Sequence, residues 1–217
     1  MKTEIEIVTG FLGAGKTSFT NSLIKESYVD GEKIIVIQLE NGQSNIDKSI
    51  INENLVEVVY LNHLNELEDR MLILIKENLP NRIIIEFNGT FNIEDLFKIM
   101  NERVYRECIR VETIYFIGDS KNLELYIKNM GNFLVPFIEY SNILVLNNIE
   151  NCNTKERENI LKIVNELNPS AFILEVKNKY LFNSSLIENK VLNNNIFKKI
   201  KIKLGRSNNI LRRKKSE

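Results

Sequence analysis

Residues 5–25 restrict the chain more than any other stretch. The β-branched run Ile5-Glu6-Ile7-Val8-Thr9 leads into Gly10-Phe11-Leu12-Gly13-Ala14-Gly15-Lys16-Thr17, which opens into the helical pattern Ser18 to Lys25. The loop fits G-x-x-x-x-G-K-[ST] at every fixed position and lies between strand and helix, the setting that motif requires. Its glycines let the backbone curl until successive N–H groups point inward at an anion. A helix starting near Lys16 adds its own free N–H groups and the positive end of its dipole. Gly10, Gly13, Ala14, Gly15, Lys16, Thr17 and Ser18 are therefore the expected phosphate-binding residues. Lys16 can reach β- and γ-phosphates as a point charge, and the Thr17 hydroxyl can ligate Mg²⁺.

Downstream, short apolar runs alternate with helical spacing. Strands are expected at Glu4–Thr9, Lys33–Leu39, Leu55–Leu61, Arg82–Phe87, Val111–Ile117, Asn142–Leu146 and Ala171–Val176. Ile34 to Ile37 and Ile83 to Ile85 are unbroken apolar runs, typical of strands buried on both faces. Helices are expected at Lys16–Lys25, Asn65–Asn78, Ile93–Glu107, Leu123–Met130 and Thr154–Leu167, with Thr154 capping the last. A weaker helical pattern covers Leu186–Phe197. The alternation predicts an α/β fold of three layers, a mostly parallel sheet with helices on both faces.

Lysine plus arginine and aspartate plus glutamate both number 29, so net charge offers no argument for nucleic acid. Cys108 and Cys152 form no CxxC, suit a reducing cytoplasm and supply no disulfide framework. The N-terminus is charged, with no apolar leader region, and no run has the length of a membrane span. Residues 1–177 read as one domain. Residues 178–217 read as a short basic extension, partly helical or disordered. Its functional reading is a patch for an anionic partner, and its bland reading is a solvated end.

Nucleotide chemistry also needs an acid beside the metal, a loop that senses the γ-phosphate and a loop that reads the base. Glu86 closes an apolar strand, and Gly89 comes three residues later with an N–H that could meet the γ-phosphate. Lys16, Thr17 and Glu86 are the residues expected to carry the chemistry. Glu40 and Asp47 are candidates for the mobile loop, and Glu40 is grouped with Thr17 and Glu86 as a metal-site candidate. Asp119 ends a strand near the ligand edge, where a local turn role is favoured over a site role. No side chain stands out as a general base, which implies slow turnover.

These stretches together resemble the CobW family of P-loop GTPases, which is linked to metal insertion and cobalamin metabolism and has the HypB and UreG nickel chaperones as relatives. Gly10 to Thr17 is similar to the family's GFLGAGKTT loop. Ile35 to Asp47 resembles its AVIVNEFGEVGID segment, matching at Val36, Ile37, Glu40, Gly42, Ile46 and Asp47. Ile83 to Gly89 is similar to its hhhETTG segment, Asn142 to Glu150 to its strand plus NKxD, and Asn168 to Ala171 to its NP-x-A end. The resemblance covers about Glu4 to Val176. It implies GTP and Mg²⁺ as ligands, Asn147 and Glu150 facing the base, a homodimer, and a metalloprotein or corrinoid-enzyme client.

The departures bear on function. The family's CxCC metal motif falls where this chain reads Val59-Tyr60-Leu61-Asn62-His63-Leu64, without cysteine. Thiolates make that motif a soft-metal site. His63, the sole histidine, reads as a solvated loop residue rather than a ligand. Asn148 replaces the lysine of NKxD, and Glu150 replaces its aspartate. Leu39 replaces the family's asparagine, and Gln43 replaces an acid. The family's C-terminal domain is absent, or reduced to the residues after Lys177. Two further readings stay open: a degenerate, nucleotide-responsive module without catalysis, and a P-loop ATPase or kinase.

Overall fold

A computed structural model describes residues 2–39, 45–53 and 55–192. Among them, seven strands form one sheet: β1 (Thr3–Gly10), β2 (Ile34–Gln38), β3 (Val56–Tyr60), β4 (Arg82–Glu86), β5 (Ile109–Asp119), β6 (Ile143–Asn147) and β7 (Phe172–Glu175). Their order is β3-β2-β4-β1-β5-β6-β7. Each pairing is parallel. β1 is central, and the chain leaves it first toward β2 and later, through β4, toward β5. The direction of winding thus reverses around β1, where open α/β sheets place their ligands.

Successive side chains of a strand face opposite sides, and both sides here are apolar. Ile7, Ile37, Ile85, Phe116 and Leu146 enter one core. Their neighbours Val8, Val36, Ile84, Ile117 and Val145 enter a second. The second core is covered by α1 (Lys16–Ser27), α2 (Lys48–Glu53) and α8 (Phe182–Glu188). The first is covered by α3 (Leu64–Asn78), α4 (Ile93–Asn101), α5 (Arg103–Cys108), α6 (Ser120–Glu139) and α7 (Thr154–Leu167). The three-layer α/β expectation holds, with a sheet that is parallel throughout.

Several local expectations change. The single helix expected over Ile93–Glu107 is two helices, because Glu102 adopts extended backbone with ψ 147°. That turn lets Tyr105 bury itself fully, with its hydroxyl donating to the Glu68 carbonyl. The helix expected to stop at Met130 kinks there (φ −134°, ψ 26°) and continues to Glu139 past Pro136. Burial of Leu134, Phe137 and Ile138 outweighs those local breakers. Asn153 caps α7 in place of Thr154, in a reciprocal box with Glu156. Asn153-x-x-Glu156 is the sequence signature of that box, one residue upstream of the threonine. The helix expected at Leu186–Phe197 lies earlier, at Phe182–Glu188, where Phe182 and Leu186 pack against α1. Residues 193–217, with most of the basic stretch, lie outside the described residues.

One buried cluster has no counterpart in the sequence reading. Arg82 opens β4 and is 1% exposed. Its Nη1 donates to Glu6 Oε2 (2.9 Å) and Ser27 Oγ (2.8 Å), and its Nε lies 3.1 Å from Glu32 Oε1. Burial alone would lower the guanidinium's pKa; the two carboxylates overcome that and raise it.

Candidate functional site

The loop between β1 and α1 is fixed by its backbone. Gly10 has φ 136°, and a Cβ there would lie 2.1 Å from the Ile117 carbonyl oxygen, so only glycine lets β1 run this close to β5. The Ala14 amide donates to Phe11 O (3.3 Å), and the Phe19 amide donates to Gly15 O (2.9 Å), which starts α1. Lys16 is buried, and its Nζ donates to Gly10 O (3.1 Å) and Phe11 O (3.2 Å), folding back over the loop that precedes it. Ser18 is half-buried on the first turn of α1. Gly89 joins from the far side: a Cβ on it would stand 2.6 Å from Gly10 O, so the segment after β4 rests directly on the loop.

Sheet register brings the acid to this loop. Val8 of β1 and Gln38 of β2 both pair with Glu86 of β4, so Glu86 lies between them beneath the start of α1. It is 3% exposed. The Thr17 hydroxyl donates to Glu86 Oε1, and Gln38 Nε2 donates to Oε2 at 3.1 Å. The structure thus places Thr17 against Glu86, with Lys16 next to Thr17 on the loop. A hydroxyl and a carboxylate side by side, next to the glycine loop, form a hard-oxygen donor set that fits Mg²⁺ and not a soft metal. Glu40 lies outside the described residues. Asp47 is exposed, and its amide donates to Asn21 Oδ1 at 3.0 Å.

The base-reading segment comes after β6. Asn147 is 2% exposed, and its Nδ2 donates to Ala14 O at 3.0 Å, tying β6 to the phosphate loop. That bond uses its amide on the loop rather than on a base. Asn148 sits at φ 59°, a left-handed position that asparagine tolerates, and donates to Asp119 Oδ2 at 2.7 Å. Asp119 caps α6 through Lys121 N (3.1 Å) and Asn122 N (3.3 Å), so it serves both the turn and the base segment. Glu150 is exposed on a 3-10 turn and accepts from Asn178 Nδ2 at 3.0 Å. Sequence reasoning missed Gln38, Asn178 and Tyr126, whose ring packs tilted against Phe11 of the loop with centroids 4.6 Å apart. A polar residue closing an apolar run was the available signal for Gln38.

Among the described residues nothing comparable gathers around His63, which is exposed just before α3. Among the described residues, no three His, Cys, Asp or Glu side chains group to hold a metal. Burial pushes the Cys108 and Cys152 thiols up.

The family model for the CobW/HypB/UreG nucleotide-binding domain matches residues 4–175. The chain belongs to this family. The zinc chaperone YjiA of Escherichia coli is 34% identical over 97 residues, 39% of this chain and 30% of that protein. Zinc-regulated GTPase metalloprotein activator 1 of Dictyostelium discoideum is 23% identical across 86% of this chain and 49% of its own length. The crystal structure of zinc-bound YjiA GTPase from E. coli superposes with a TM-score of 0.63 at 18% identity, covering 80% of this chain and 57% of that one, which supports the fold. The chain spans half or less of the length of the curated relatives it matches. Among the described residues, no helix is long and apolar enough to cross a membrane.

Proposed function

We propose that this chain binds Mg²⁺ and GTP, hydrolyses the nucleotide slowly, and uses its nucleotide state to set contact with a partner protein. The observation that supports this best is the Thr17 hydroxyl paired with Glu86 directly beneath the loop that carries Lys16. In this reading Thr17 ligates the cation and Glu86 holds one of its waters. Bound magnesium supplies charge neutralisation at the phosphate oxygens. Lys16 exchanges two neutral carbonyl acceptors for charged phosphate oxygens, and charge-assisted bonds are the stronger kind. The loop amides and the first turn of α1 hold the remaining phosphate charge. Gly89 brings its N–H to the γ-phosphate side. Glu150 accepts from guanine N1–H and the 2-amino group; adenine has neither donor on that edge, so the carboxylate selects against ATP. Among the described residues no side chain is placed as a general base, so positioning and charge carry the chemistry, and turnover is slow. A metalloprotein client and a nucleotide-dependent homodimer complete the proposal; relatives named zinc chaperone and metalloprotein activator support the first.

Calorimetry with GTP and ATP, each with Mg²⁺, tests the binding. Lys16→Ala should weaken GTP by about a hundredfold or more, the worth of two charge-assisted bonds at ~1.5–3 kcal/mol each, with an unchanged circular dichroism spectrum. Equal GTP affinity in that variant would defeat the assignment. A second reading, a nucleotide-responsive module that does not hydrolyse, is favoured by Asn148, which is tied to Asp119 where the resembled motif has lysine. Phosphate release from purified protein with GTP and Mg²⁺ separates the two.

A further inference from the structure

Gln38 is an unexpected residue where it stands. It ends β2, a strand otherwise made of isoleucine and valine, and it is 2% exposed. Its backbone is locked from both sides: Gln38 O accepts from Leu61 N at 3.0 Å, and the next amide, Leu39 N, donates to Glu86 O at 3.0 Å. Register places its side chain on the α1 side of the sheet, in line with Glu86. Nε2 donates to Glu86 Oε2 at 3.1 Å, which fixes the orientation of the amide because a carboxylate accepts and does not donate. The other end of that amide, Oε1, is buried and has no hydrogen-bond partner among the described residues.

A buried carbonyl oxygen without a donor destabilises the fold. Valine, found at this place in the segment that Ile35–Asp47 resembles, would avoid that cost and fill a similar site. The orphaned oxygen shares its carbon with the nitrogen that touches Glu86, so it lies close to the acid. Among the described residues no donor reaches that oxygen, and the waters on a magnesium ion are strong donors because the cation draws charge from their O–H bonds.

We propose that Gln38 is a positioning residue of the magnesium site. Its amide nitrogen holds the Glu86 carboxylate in place, and its amide oxygen accepts a hydrogen bond from a water on the cation. The inference rests on the reading of Thr17 and Glu86 as the magnesium-binding pair. Gln38 touches neither nucleotide nor metal directly. It acts on the metal through Glu86 and through water, as outer-shell partners do.

The test is the Mg²⁺ dependence of GDP release, tracked with a fluorescent GDP analogue on the whole chain. In the wild type, Mg²⁺ slows release with a measurable half-effect concentration. Gln38→Met keeps the length and volume of the side chain and removes both hydrogen bonds. It should raise that concentration about tenfold, the usual size of an outer-shell loss, while affinity for GDP in EDTA stays within about twofold, as expected of a residue that does not touch the nucleotide. Gln38→Glu places a second carboxylate beside Glu86, so the pair shares a proton that Mg²⁺ must displace. Its half-effect concentration should fall more steeply with rising pH than that of the wild type. A merely structural Gln38 would lower the thermal midpoint of both variants and leave the magnesium half-point unmoved, which overturns the proposal. A wild type whose GDP release ignores Mg²⁺ removes the magnesium site itself, and this inference falls with it.

Discussion

β4 carries a buried arginine at its start and a buried glutamate at its end, and the two are used in opposite ways. Arg82, Ile84 and Glu86 share the face covered by α1. The separation matches: ten residues of helix at ~1.5 Å and four of strand at ~3.3 Å both cover roughly 13–15 Å. Thr17 at the head of α1 therefore reaches Glu86, and Ser27 at its foot reaches Arg82. The lower cluster is held by opposite charges, with Arg82 Nε and Glu32 Oε1 meeting as an ion pair without hydrogen-bond geometry. Its guanidinium is engaged by Glu6, Glu32 and Ser27 together. The upper cluster is open: a hydroxyl, a carboxylate and an amide meet beneath the phosphate loop, with the Gln38 oxygen unmatched among the described residues. A buried cation between two carboxylates holds a structure together, whereas an acid beside an unmatched carbonyl oxygen is where a cation and its waters can still be bound.

The strongest way to break this contrast is to disable each end in turn. Arg82→Met leaves Glu6 and Glu32 buried without their cation and should lower unfolding free energy by about 3–5 kcal/mol in a urea titration. Glu86→Gln should shift it by less than about 1 kcal/mol, since the amide still accepts from Thr17, yet abolish the tightening of GDP by Mg²⁺. Comparable destabilisation in the two variants would make the upper cluster a structural one. A smaller effect sharpens the picture at the join between phosphate and base segments. Asn147→Ala strips the Ala14 carbonyl of its donor and should cost about 1–2 kcal/mol of stability while also speeding nucleotide release. An unchanged release rate would mean that the loop holds its shape without β6. The smallest change belongs to the base segment. Asn148→Lys gives up one half-exposed bond to Asp119, so stability should move by under about 0.5 kcal/mol. The ratio of GTP to ATP affinity in competition should rise severalfold, because the new stem can lie against the base. A fall in that ratio would show that Asn148 already serves recognition better than lysine would.

The site was legible where its parts are close in sequence. Gly10, Lys16 and Thr17 lie within one turn of chain, and their spacing alone specifies the curl, the cation and the hydroxyl. Glu86 was readable at longer range because an acid closing an apolar strand has few reasons to be there. The partners that complete each cluster were not readable. Gln38 meets Glu86 across 48 positions, Arg82 meets Glu6 across 76, and Asn147 meets Ala14 across 133. In the sequence Arg82 was only the first residue of an expected strand, and Asn147 was an expected base contact. The missed helix cap at Asn153 differs in kind: its signal was present and lay one residue away from the threonine that was preferred.

Local chemistry alone settled that β1 would lead into a glycine loop, that strands and helices would alternate, and that the runs Ile34–Ile37 and Ile83–Ile85 would be buried on both faces. These arise from allowed backbone angles and from the periods of side-chain direction, which neighbouring residues decide among themselves. Which strands lie beside β1 was settled only by packing. A period of two fixes the face a side chain takes but is silent about the strand it will meet, so β4's place between β2 and β1 is what set Glu86 under Thr17 and against Gln38.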